Sequence, residues 1–117
     1  MSLQVEIEHG GKALIVRLKG ELDHHTAETV RARMEEAIAD SNCHNVILSM
    51  EQLSFMDSSG LGVILGRYKQ ITTKGGKMVV CGLNPSVRRL FQMSGLFKIL
   101  SVEESERSAV LSSEGVS

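Results

Sequence analysis

Apolar and polar residues alternate along the first part of the chain, and this pattern predicts strands. Leu3, Val5 and Ile7 alternate with polar residues, and residues 14–19 largely repeat the two-residue period of a half-buried strand. The intervening Gly10-Gly11 favours a turn. The two segments therefore predict an antiparallel hairpin. Its second strand should end at residues 20–23.

Three segments with apolar residues at intervals of three and four follow the hairpin, and this spacing predicts helices. They cover about residues 24–40, 58–73 and 85–94. Asp23 is a suitable N-cap for the first, and Asn84 followed by proline is a strong start signal for the third. In the second helix, we expect the inner face to consist of Leu61, Ile64, Leu65, Tyr68 and Ile71.

Two runs between these helices are almost entirely apolar and contain β-branched residues, as strands buried on both faces should be. They are residues 45–50 and 77–81, and a loop over residues 51–56 is expected to join the first to the second helix. Residues 97–100 predict a short last strand. Capping-box spacing at residues 101–104 predicts a final helix that runs to about Leu111.

The predicted order is β-β-α-β-α-β-α-β-α, which describes a single α/β domain over residues 1–117 with a frayed tail at 112–117. Strands joined through helices are parallel, so we expect a mixed, mostly parallel sheet of four or five strands with about four helices. The carboxyl ends of parallel strands share one edge, where α/β proteins favour binding. Gly20–Asp23, Asp57–Gly60 and Gly82–Asn84 should therefore meet on one rim.

The start of the second predicted helix is the sequence Asp57-Ser58-Ser59-Gly60. Asp57 or Ser58 can act as the N-cap, because a short side-chain oxygen accepts a hydrogen bond from a first-turn N–H group. Helix N-termini attract anions, so a phosphate on either serine would be stabilised there. Taken alone, the segment is more typical of an ordinary helix cap than of a functional site.

Glycines after this cap favour a binding function. Ser58, Gly62 and Gly66 are spaced by four, so a strip almost free of side chains runs down the helix beside Ser59. Each interior glycine costs about 1 kcal/mol relative to alanine. Close approach of another backbone, either the protein's own or a partner's, would explain them. The residues themselves thus predict a phosphorylatable binding module.

Composition and charge narrow the possible functions. The chain has 117 residues, of which 42% are apolar and 23% are charged, and its net charge is −1. It lacks the basic excess typical of proteins that bind nucleic acids or membrane surfaces. No apolar run approaches the roughly 20 residues of a membrane span, and no signal peptide is evident. We therefore expect a cytoplasmic protein.

Metal and enzyme sites are poorly supported. Cys43 and Cys81 are isolated, and His24 and His25 would point about 100° apart on a helix without a third ligand nearby, so no metal is expected. A Ser-His-Asp hydrolase is the enzymatic alternative, but the segment around Ser58 is not a GxSxG motif. The glycine pairs before Lys12 and Lys77 also lack phosphate-loop spacing. We do not expect an enzyme.

Three segments resemble the STAS-domain anti-sigma factor antagonists of spore-forming bacteria: Gly20–Thr29, Leu53–Gln70 and Met93–Leu96. The resemblance extends over essentially the whole chain and implies a STAS fold. It also implies that Ser58, directly after the aspartate, is the phosphoacceptor of a partner that is both a serine kinase and the anti-sigma factor. Ser59 is a second possible acceptor from the residues alone.

By the same resemblance, the unphosphorylated protein binds this partner and releases a sigma factor for sporulation transcription. Phosphorylation ends the binding, and a serine phosphatase restores it. No cofactor is implied, since ATP or ADP would be carried by the partner kinase. The alternative is a STAS-fold sensor of a nucleotide or small ligand at the same rim. The expected partner-binding residues are Glu21, Asp23, Asp57, Ser58, Ser59, Gly60, Gly62, Gly66 and Asn84.

Overall fold

The strands lie in the sheet in the order in which they occur in the chain, as seen in a computed structural model that describes residues 2–10 and 12–113. The strands are β1 (Leu3–Gly10), β2 (Ala13–Leu22), β3 (Asn45–Met56), β4 (Met78–Cys81) and β5 (Ser101–Glu103). The helices are α1 (Ala27–Asp40), α2 (Ser58–Thr73), α3 (Pro85–Ser94) and α4 (Glu106–Ser113). The predicted order of strands and helices is confirmed.

The sheet is mixed, as predicted. β1 is antiparallel to β2, and every other neighbouring pair is parallel. Each crossover from β2 to β5 advances by one strand in the same direction, so right-handed connections place α1, α2 and α3 on one face. α4 follows the last strand and packs on the opposite face against β3 and β4.

The two faces of the sheet carry cores of different size. The larger core joins the sheet to α1, α2 and α3, and its fully buried members include Leu14, Leu48, Met34, Ile64 and Phe91. The smaller core lies under α4 and consists of Ala13, Ile15, Ile47, Val79, Cys81 and Ala109. β3 and β4 contribute side chains to both cores, which confirms that they are buried strands.

Two predicted boundaries in the first half are wrong. α1 begins at Ala27, because the backbone N–H and side chain of Asp23 form hydrogen bonds with Thr26 that stabilise a turn before the helix. β3 continues through residues 51–56, where a loop was predicted. The reason is that β2 remains available for backbone pairing as far as Leu22, which pairs with Met56.

The predictions at the C-terminal end also need correction. Residues 97–100 do not form a strand, because a short 3₁₀ helix (Leu96–Lys98) follows Gly95 and the strand begins at Ser101. The final helix starts later than predicted, because two reciprocal hydrogen bonds form a turn before it. The N–H of Ser108 donates to the hydroxyl of Ser105 at 3.1 Å, and the N–H of Ser105 donates to the hydroxyl of Ser108 at 3.2 Å. The frayed tail expected at 112–117 stays a prediction, since α4 ends at Ser113 and residues 114–117 lie outside the described residues.

Arg17 connects the hairpin to α4 through several carboxylates. Its Nε and Nη2 atoms donate to the two carboxylate oxygens of Glu106, each at 2.8 Å, and its Nη1 donates to Glu6 and Glu8 at 2.7 and 2.9 Å. The hydrogen bonds from Arg17 lower the pKa of Glu106 below its ordinary value. The paired charge of Glu106 therefore stabilises the docking of α4.

Replacing Glu106 by glutamine should lower the free energy of unfolding by about 1–2 kcal/mol at pH 7, because a charge-assisted bidentate pair is lost. A carboxyl with a lowered folded-state pKa stabilises the fold above its unfolded pKa and loses that effect as pH falls through the folded one. Urea unfolding should therefore show a smaller difference between wild type and Glu106→Gln at pH 3. The exposed Glu104 provides a control, and an equal loss in Glu104→Gln would contradict this role of the pair.

Candidate functional site

The N-terminus of α2 is capped by Asp57, one of the two residues that the sequence offered. Its backbone is extended, and its Oδ1 atom accepts a hydrogen bond from the N–H of Ser59 at 2.9 Å. Ser58 is the first helical residue and is exposed, whereas Ser59 is half-buried. The cap thus fixes the backbone on which the Ser58 hydroxyl is presented.

The end of β2 and the start of α2 meet, as predicted for the rim. Leu22 pairs with Met56, and the N–H of Asp57 donates to the carbonyl oxygen of Leu22 at 3.2 Å. Neighbouring strands lie about 4.8 Å apart, so Asp23 and Asp57 emerge side by side. Glu21 is opposite Phe55 and is half-buried. The backbones of Asp23 and Asp57 are therefore adjacent at this edge of the sheet, and Glu21 precedes Asp23 by two residues.

Asp23 is a largely internal member of the rim, with only 2% of its surface exposed. Burial by itself would raise its pKa, but hydrogen bonds from the backbone N–H groups of Thr26 and His25 outweigh that effect and lower the pKa. Its Oδ2 atom is buried and has no hydrogen-bond partner among the described residues. Asp23 therefore holds the turn before α1 and contributes negative charge rather than exposed surface.

Asn84 lies beside Leu53 of β3 and not at the carboxyl end of that strand, where the other rim residues are. Its side chain caps α3 by accepting a hydrogen bond from Val87 N–H at 2.9 Å, and it donates to the carbonyl oxygen of Leu53 at 3.0 Å. Leu53 precedes Asp57 by four residues, which is about 13 Å along a strand. The carboxyl ends of the two strands are therefore at different levels, because β4 ends at Cys81, opposite Ser49, while β3 continues to Met56.

The three glycines of the predicted site have different surroundings. A Cβ atom on Gly60 would lie 2.6 Å from Met56 Cγ and 2.9 Å from Leu22 Cδ2, so this glycine allows close packing against the protein's own core. Around Gly62 and Gly66, by contrast, no described atom outside the adjacent residues and the local helix backbone would lie within 4 Å of an added Cβ. The strip formed by Ser58, Gly62 and Gly66 is consequently open to an external partner.

The inner face of α2 differs from the predicted one. Ile64 and Ile71 are buried as expected, but Leu61, Leu65 and Tyr68 are only half-buried. The remaining buried positions are Gly60, Val63 and Arg67. The buried face is rotated because Gly60 lies against the sheet and Arg67 packs towards α1. Position 67, between Ile64 and Ile71 at helical spacing, was the sequence signal that this arginine is internal.

Residues 4–109 match the model of the STAS domain family, and the order of elements and sheet agrees with that match. The chain belongs to the STAS domain family. It is 57% identical, over all 117 residues and the full length of both chains, to the anti-sigma F factor antagonist of Paenibacillus polymyxa. The STAS fold that the resemblance implied is thereby confirmed.

Solved STAS structures agree with this fold. The anti-sigma factor antagonist SpoIIAA in its unphosphorylated form superposes with a TM-score of 0.75 and 32% identity, covering 98% of this chain and all of that one. The Bacillus cell fate determinant SpoIIAA in its phosphorylated form gives a TM-score of 0.72 and 35% identity, covering 92% and 96% of the two chains. Both forms share the architecture of this STAS domain.

Residues 2–10 and 12–113 contain neither a membrane-spanning helix nor a cluster of metal-binding side chains. In this part of the STAS chain no helix is both long and apolar enough to cross a membrane. Nor do any three histidine, cysteine or acidic side chains there come together as metal ligands. The rings of His24 and His25 lie 3.9 Å apart and contact each other at the exposed turn before α1.

The contrast between Gly60 and Gly62 predicts opposite effects of the same substitution. Gly60→Ala should lower the free energy of unfolding by about 1–3 kcal/mol, because the new methyl group overlaps Met56 and Leu22. Gly62→Ala should be neutral or raise it by up to about 1 kcal/mol, because alanine favours helix and meets open space. Urea unfolding of both variants measures the difference. Equal effects would show that the two glycines are not oriented as described.

Proposed function

We propose that this chain is an anti-sigma factor antagonist controlled by phosphorylation of Ser58. The unphosphorylated protein binds an anti-sigma factor that is also a serine kinase, and the bound sigma factor is released for sporulation transcription. Phosphorylation of Ser58 ends the binding, and a serine phosphatase reverses it in the cytoplasm. The protein acts by binding rather than catalysis, and the nucleotide belongs to the kinase.

The observation that carries the proposal is the position of the Ser58 hydroxyl. It is exposed at the first position of a helix whose cap, Asp57, is held to β2 through the carbonyl oxygen of Leu22. A kinase requires an accessible hydroxyl, and Ser58 is more exposed than Ser59. The likeness to SpoIIAA, which is known in unphosphorylated and phosphorylated forms, supports the same assignment.

The open strip next to Ser58 supports a protein as the partner. Gly62 and Gly66 leave the helix backbone uncovered, and the half-buried Leu61 and Leu65 lie beside them. A partner backbone can approach this surface closely while burying apolar area next to it. The strip begins at Ser58, so a phosphate on that residue would lie at the edge of the contact with the partner.

A phosphate on Ser58 would weaken this contact locally. It adds about −1.5 to −2 charges beside Asp57, with Glu21 on the neighbouring strand and Asp23 directly after it. A further like charge about 4 Å away costs roughly 1–4 kcal/mol at effective dielectric constants of 80 to 20. The helix N-terminus tolerates the anion, so the fold itself need not change. The binding is therefore lost by charge and bulk at the surface.

Incubation with the cognate kinase and ATP should add one phosphate to the wild-type protein, at Ser58. Ser58→Ala should abolish the addition because Ser58 is the only hydroxyl residue at the first position of α1–α4, and this variant should remain a permanently active antagonist. Intact-mass spectrometry and phosphopeptide mapping measure the outcome.

Ser59→Ala is the matched control for this experiment. It should still accept one phosphate, since Asp57 bonds the backbone N–H of residue 59 and not its hydroxyl. Phosphate on Ser58→Ala, or a phosphopeptide that maps to Ser59, would refute the assignment.

Gly62→Leu should weaken binding of the unphosphorylated protein to the anti-sigma factor by at least tenfold, because the new side chain fills the open strip. Its free energy of unfolding should change by no more than about 1 kcal/mol, since no described atom lies near the site. Calorimetric titration and urea unfolding separate the two effects. A variant that binds normally, or one that unfolds outright, would contradict the assignment of this strip to the partner.

A further inference from the structure

A groove of about 620 Å³ lies between α1 and the C-terminal half of α2. It begins at Gly66, the last glycine of the open strip, and is therefore continuous with the surface assigned to the partner. The exposed face of α2 continues through Lys69 and Thr73, which also line the groove. The remaining lining residues are Glu35, Ala39, Arg67, Gln70 and Lys74.

Arg67 is buried in the wall of this groove without full compensation of its charge. Only 8% of its surface is exposed, and its contact with Glu35 is long, at 3.4 Å between Nη2 and Oε2. The same Glu35 oxygen accepts a shorter hydrogen bond of 2.8 Å from Arg31. The Nε and Nη1 atoms of Arg67 have no hydrogen-bond partner among the described residues. A buried, partly paired cation of this kind favours an additional anion.

The neighbouring groups favour an acidic peptide segment over a simple anion. The groove carries Arg67, Lys69 and Lys74 against the single carboxylate of Glu35, whereas the whole chain has a net charge of −1. The side-chain carbonyl oxygen of Gln70 is also buried without a donor in the described part of the chain. A polypeptide supplies both missing partners, a carboxylate for Arg67 and a backbone N–H for Gln70.

We infer that the anti-sigma factor places an acidic side chain in the groove beside Arg67 and Lys69, while another part of it covers Ser58. This inference rests on the proposed function. Ser58 and Arg67 are nine residues apart, which is about 14 Å along a helix. α2 thus offers the partner a negative contact at its N-terminal rim and a positive contact near its C-terminal end.

The test compares charge changes inside and outside the groove in the full chain. Lys69→Glu should weaken binding of the unphosphorylated protein to the cognate anti-sigma factor about tenfold, and Arg67→Met at least tenfold. Lys77→Glu is the matched control, because Lys77 is exposed in the connector before β4 and its replacement changes net charge equally. Calorimetric titration at two salt concentrations gives the affinities, and the two groove variants should also reduce their salt dependence.

The possible results separate the two proposals. Weaker binding of Lys69→Glu with an unchanged Lys77→Glu supports the groove contact, even if Arg67→Met is too unstable to measure. Wild-type affinity of Lys69→Glu, or an equal loss in Lys77→Glu, overturns the groove contact and leaves the proposed function intact. Failure of the wild-type protein itself to bind the anti-sigma factor overturns the proposed function and this inference with it.

Discussion

The pairing of β2 with β3 up to their last residues is the constraint on which the site depends. Because Leu22 lies beside Met56 and its carbonyl oxygen accepts the N–H of Asp57, the polypeptide enters α2 at one defined place. Gly60 then packs against the same Leu22 and Met56, which sets the rotation of the helix. The orientation of the exposed serine and glycines follows from these contacts.

The same contacts order the surface around the start of α2 in the absence of a partner. The side chain of Asp57 accepts a hydrogen bond from the first-turn N–H of Ser59. The side chain of Asp23 stabilises the adjoining turn by accepting two backbone hydrogen bonds. Association is less costly when the surface is already ordered, because fewer backbone and side-chain states are lost. On a surface of this kind, a charge added at Ser58 would act without a second conformation.

Local signals in the sequence were sufficient for the elements but not for their limits or rotation. The hairpin, the Asp57 and Asn84 caps and the order of elements follow from short-range periodicity and capping chemistry. The extension of β3 through residues 51–56 depends on an edge that the distant β2 supplies, and the late start of α4 depends on Ser105. Helical spacing placed position 67 on the inner face with Ile64 and Ile71, but the burial of a charged side chain there depends on the packing of α2 against α1.

Because every crossover from β2 to β5 runs in the same direction, the two faces of the sheet carry different parts of the molecule. The serine, the glycine strip and the groove are all on the side of α1, α2 and α3, whereas α4 covers the other face with a small core around Ala109. Substitutions beneath α4 would act first on the smaller core and would reach α2 through β2, β3 and β4, the strands that contribute to both cores. The face under α4 is therefore the place at which the stability of the domain can be adjusted with the least change to the surface of α2.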